Sequence, residues 1–169
     1  DPSRDNYTAL HYAAWDGFED IVKFLIDNKA SVNFVGSDER TPIHLATANN
    51  HVECVKLLIE GGAEIDLKVL SAAEENIYHG EKGSTALRDA VLNQCWSIVD
   101  ILLDKGADIN ILKDPCKNSS YNTSNFMENV KLLGENEDSI KNRHNPERIN
   151  DMIKMLDSEG GKIQGNDNE

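Results

Sequence analysis

At 169 residues the chain is one domain's worth of polypeptide, and a chain of that length buries roughly 68–70% of its unfolded surface. Its formal charge of −13 works against non-specific nucleic-acid binding, which runs on lysine and arginine, and against docking on anionic membranes. It favours a basic partner or simply keeps the surface solvated.

No apolar run approaches the ~18 residues of a membrane-spanning helix, and no signal-peptide pattern is present. Three cysteines without a CxxC pair point to a reducing, intracellular, cytoplasmic setting and no disulfide framework. Residue 1 is aspartate rather than methionine, so a fragment of a longer protein is expected.

In chain order, residues 1–4 read as the remnant of a preceding hairpin loop. Residues 8–33, TALHYAAWDGFEDIVKFLIDNKASVN, have the pattern of two short helices back to back. Trp15 and Asp16 end the first helix and Gly17 supplies the turn. Residues 41–66, TPIHLATANNHVECVKLLIEGGAEID, repeat the pattern. Thr41 can cap and Pro42 start a helix there, since proline at the first helical position loses no needed N–H.

Thr8 and Thr41 stand 33 residues apart, and residues 85–110, TALRDAVLNQCWSIVDILLDKGADIN, align with both units without gaps. Leu10, Ile43 and Leu87 correspond, as do Val22, Val55 and Val99, and Leu25, Leu58 and Leu102. Cys54 falls where Ile21 and Ile98 fall, which predicts a small buried apolar residue. At the turns, Asn50 and Gln94 stand where the first unit has Gly17, and Lys29 stands where the others have Gly62 and Gly106. Each of these departures should strain the backbone or shift the turn.

Thr41 and Thr85 are 44 apart, so 11 residues are inserted in the loop 67–83. The insert carries Tyr78 and the acids Glu74, Glu75 and Glu81. It is either a binding element or a tolerated lengthening, because a longer loop costs little.

These units resemble the ankyrin repeat family, whose period is about 33 residues with a T-P-L-H-x-A signature; TALHYA, TPIHLA and TALRDA carry it here. The resemblance implies an all-α ankyrin-repeat solenoid of stacked helix pairs with hairpin loops. It assigns residues 5–37, 38–81 and 82–113 to three repeats. Residues 114–163 are expected to be a degenerate capping repeat and 164–169 a disordered tail. His11 and His44 occupy the signature position, where the family's histidine is structural, while the third unit has Arg88. Asn33 and Asn110 resemble the family's asparagine hydroxylation sites.

No motif for catalysis, cofactor or metal is present, so the chain reads as a non-enzyme without cofactor. The family's binding mode implies a protein-interaction scaffold or adaptor, or else the regulatory domain of a larger enzyme or channel. The implied contact residues are Phe34, Leu67 and Ile111 at the hairpin tips, with Glu39 and Arg40 beside them. On the first-helix face they are Tyr12, Trp15, Leu45, Arg88 and Asp89, and Tyr78 lies in the insert. The implied partner is a protein, engaged through a basic segment, with neither nucleic acid nor membrane insertion.

Overall fold

The computed structural model describes residues 6–68 and 84–113, all within the compact unit Asp1–Ser119. The expectations for residues 1–5, for the insert from 69 to 83 including Tyr78, and for 114–169 lie outside the described residues.

Within them the fold is all-α, as three tandem helix pairs require. The helices are α1 (Ala9–Asp16), α2 (Glu19–Asp27), α3 (Pro42–Ala48), α4 (Val52–Glu60), α5 (Ala86–Leu92) and α6 (Trp96–Asp104), followed by a 3-10 helix, Ile109–Lys113. No strand occurs among the described residues. Each helix has only seven to nine residues, too few to be stable in isolation, where about 12–15 are marginal. Stability therefore comes from stacking. The first helices form one row, α1 on α3 on α5, and the second helices another, α2 on α4 on α6; the 3-10 helix packs on α5.

One threonine opens each unit. Thr8, Thr41 and Thr85 all hold extended backbone just ahead of their first helix, and Pro42 occupies the first turn of α3. The core repeats with the units: Leu10, Ala13 and Val22; Ile43, Ala46, Val55 and Leu58; Leu87, Ala90, Val99 and Leu102 are all buried. Cys54 and Cys95 are buried free thiols, and desolvation pushes the Cys54 thiol up to about 11. A thiol held protonated in this way is unreactive.

The irregular turn residues strain the backbone without shifting it. Gly17, Asn50 and Gln94 are all left-handed, at φ 76°, 58° and 58°. The amide that follows each one closes the same bond: Phe18 N–H to Ala13 O, His51 to Ala46 and Cys95 to Ala90, at 2.9, 2.9 and 2.8 Å. Lys29 adopts φ 66° where Gly62 and Gly106 have 92° and 90°. Ala30, Ala63 and Ala107 donate to Leu25, Leu58 and Leu102 at 2.9, 2.9 and 3.0 Å. Packing of the two rows holds the turn geometry even where the side chain disfavours it.

Candidate functional site

An exposed aromatic patch is built around the first hairpin. His11, on α1, anchors it from below. Its Nδ1 accepts from the Thr8 backbone N–H at 3.1 Å and lies 2.8 Å from Thr8 Oγ1. Since a backbone amide can only donate, Nδ1 is the acceptor and the proton sits on Nε2, which donates to Arg40 O at 3.1 Å. His44 repeats the arrangement, with Nδ1 on Thr41 and Nε2 donating to Leu67 O at 3.0 Å. Both imidazoles fix a hairpin tip to a helix start. Burial lowers the pKa of each below the usual 6.5, so both are neutral and well matched to accept and donate at once.

The tip itself is held by Tyr7 and Asp38. Tyr7 Oη donates to Asp38 Oδ2 at 2.5 Å, and Asp38 Oδ1 accepts from the Arg40 N–H at 3.2 Å. Gly36 lies under the Tyr7 ring, which a Cβ there would meet at 2.5 Å. The Tyr7 ring stacks on His11, at 4.8 Å between centroids, and meets Tyr12 edge-on at 5.7 Å; His11 meets Phe34 edge-on at 6.1 Å. Tyr12, Phe34 and Val35 are left 43%, 42% and 42% exposed. Trp15, Glu39 and Leu67 are half-buried. Glu39 is itself left-handed, at φ 60°.

Other expected contact residues are not on the surface. Leu45 is fully buried, because α3 has neighbours on both sides, α1 and α5. Arg40 and Asp89 are 2% and 4% exposed. Asp89 accepts a short hydrogen bond from Ser84 Oγ and faces Arg40 Nη2 at 3.5 Å, which draws the guanidinium inward. Arg88 is buried in the first turn of α5, where its backbone N–H donates to Thr85 Oγ1 at 3.3 Å. Ile111 is buried on the 3-10 helix that packs against α5. These five are interior groups, a correction to the expected surface.

The exposed Val35 and the half-buried Tyr7 were not singled out from the sequence; the apolar pair Phe34-Val35 in a tip was the available signal. Asn33 carries a structural load: its Nδ2 donates to Gly62 O at 3.1 Å and its Oδ1 accepts from the Glu64 N–H at 2.8 Å. Asp66, one unit on, accepts from the Asp108 N–H at 3.1 Å in the same way.

A family model of ankyrin repeats (3 copies) matches residues 1–69 and 36–113. The chain belongs to the ankyrin repeat family. A putative ankyrin repeat protein of Rickettsia felis is 33% identical over 103 residues, covering 61% of this chain and 31% of the relative. One from fowlpox virus is 33% identical over 109 residues, 63% of this chain and 29% of the relative. A putative palmitoyltransferase of Danio rerio is 33% identical over 111 residues, 65% of this chain and 16% of the relative. The chain thus spans less than a third of the length of each.

Ankyrin repeats are generally protein–protein interaction modules. Among the described residues, no helix is long and apolar enough to cross a membrane, and no three His, Cys, Asp or Glu side chains are grouped as metal ligands.

Proposed function

We propose that the chain is an adaptor that binds a protein segment across the first hairpin tip and the adjoining side of α1. The carrying observation is the contiguous patch of Tyr12, Phe34 and Val35, exposed together and joined through the rings of Tyr7 and His11. Exposed aromatics backed by rigid packing are the usual anchors of an interface. Trp15, three residues beyond Tyr12 on α1, and Glu39, in the same tip, adjoin the patch, and Leu67 stands in the next hairpin. The charge of −13, with Glu74, Glu75 and Glu81 in the insert beside Tyr78, favours a segment carrying lysine or arginine inside the cell. The same charge stands against nucleic acid as the partner.

The test is co-purification followed by calorimetry of the captured protein against wild type, Tyr12→Ala, Phe34→Ala and a deletion of residues 71–81. Each aromatic truncation should cost more than about 1 kcal/mol of affinity, and the deletion should weaken binding most at low salt. A partner indifferent to all three would refute the reading. The likeness to a putative palmitoyltransferase favours a second reading, in which the same repeats regulate a larger enzyme or channel. The complete open reading frame separates the two readings.

A further inference from the structure

Equivalent positions of the second helices differ sharply in exposure. Ile21 on α2 is 47% exposed, whereas its counterparts Cys54 on α4 and Ile98 on α6 are fully buried. Phe24 is 63% exposed, while Leu57 and Ile101 are half-buried. Phe18 is 54% exposed. Its counterparts reach back onto the preceding unit: His51 Nε2 donates to Trp15 O at 3.0 Å, and Cys95 Sγ lies 3.9 Å from Thr47 O.

What covers Cys54 and Ile98 is the helix before each, since α2 packs on α4 and α4 on α6. The outer side of α2 therefore carries, position for position, an interface that the molecule uses twice. Phe18, Ile21 and Phe24 make it more apolar than His51, Cys54 and Leu57 make the first used copy. An open depression of about 420 Å³, lined by residues Gly17 to Ile21, lies on this face.

We propose that this face docks a further ankyrin-type helix pair, stacked N-terminal to the first unit and continuing both rows. Continuity with the two existing interfaces specifies the occupant. Its second helix presents aliphatic groups where α2 presents Ile26, whose methyl groups lie against the site of Gly61. Its first helix ends over Phe18. Phe18 cannot donate as His51 does, so that helix satisfies its last carbonyls through its own left-handed cap, as Gly17 N–H does on Ala13 O. Glu19 and Asp20, exposed beside the patch, suit lysine or arginine on the occupant. The same acids oppose a second copy of the chain, because a two-fold contact through this face would set them against their own like charges.

A copy of residues 34–66 placed directly before residue 1 preserves the 33-residue period and tests the proposal. The extended chain should unfold in one transition with a higher midpoint and a larger denaturant slope, reflecting more surface buried. Adding Ile21→Lys and Phe24→Lys should return it toward the parent midpoint. The same pair of substitutions in the parent chain, where both residues are exposed, should change its midpoint hardly at all. An unchanged midpoint on extension would overturn the proposal. So would substitutions that cost the same in both chains. Sedimentation showing that the parent dimerises, with the dimer abolished by Ile21→Lys, would also overturn it, because the occupant would then be a second copy.

Discussion

Replacing Asp89 with alanine should destabilise the fold out of proportion to the size of the side chain. Asp89 and Arg40 are both at least nine-tenths buried, with Nη2 and Oδ2 3.5 Å apart. At that separation, with an effective dielectric of about 20, the attraction is about 5 kcal/mol. Among the described residues Arg40 Nε and Nη1 have no hydrogen-bond partner, so loss of Asp89 removes the carboxylate that faces a desolvated cation. Ser84 Oγ loses its acceptor as well. Breaking a buried pair from one side costs about 3–5 kcal/mol, which for a chain of this size is roughly 6–20 °C in Tm.

The assay is urea denaturation followed by circular dichroism, with a double variant as the control. Arg40→Met with Asp89→Leu removes both charges, and apolar replacement of a buried pair is often neutral or stabilising by about 1–4 kcal/mol. The double variant should therefore be more stable than Asp89→Ala alone. If Asp89→Ala unfolds within about 1 kcal/mol of wild type, or if the double variant is the weaker, the pair does not hold the first hairpin to α5 and the reasoning fails.

Lys29→Gly should stabilise the chain by roughly 1 kcal/mol, since a non-glycine residue in the left-handed region costs about 1–2 kcal/mol and glycine's looser unfolded state takes back part of that; a lower denaturation midpoint would show that Lys29 is not strained at its φ of 66°. Acidification should weaken the fold through His11 and His44. Burial holds their folded pKa below 6.5, so the unfolded chain binds protons first, and the stability present above pH 6.5 is lost as pH falls through the lowered values. His44→Gln should flatten this pH dependence by up to about 1.4 kcal/mol per pH unit; curves for variant and wild type that run parallel from pH 7 to 5 would contradict it.

The helices and their stacking were legible in the sequence because three copies of one pattern remove the ambiguity of any single copy. Apolar residues at helical spacing fix which side of each short helix is hidden. Thr8, Thr41 and Thr85 mark the starts, and the left-handed turns follow from their fixed place after each helix. Even Lys29 and Gln94, poor residues for those turns, and Asn50, which tolerates one, could be assigned to them by register alone. The structural role of His11 and His44 followed from the resemblance at the signature position, and their neutral state came only from the burial that the fold imposes.

Exposure was not legible, because it depends on what lies beside a residue rather than on its place in a repeat. Tyr12, Leu45 and Asp89 occupy one position in three units, yet only Tyr12 is exposed. Leu45 has a helix on both sides, α1 and α5, and Asp89 is fixed by Ser84 and Arg40. The Arg40–Asp89 pair joins residues 49 apart, across an insertion that breaks the 33-residue spacing, so no periodic argument could find it. In the same way Ile21 matches Cys54 and Ile98 in sequence but differs from them in burial. The repeat pattern puts Ile21 in register with Cys54 and Ile98, and only the packed structure shows that Ile21 is exposed while they are buried.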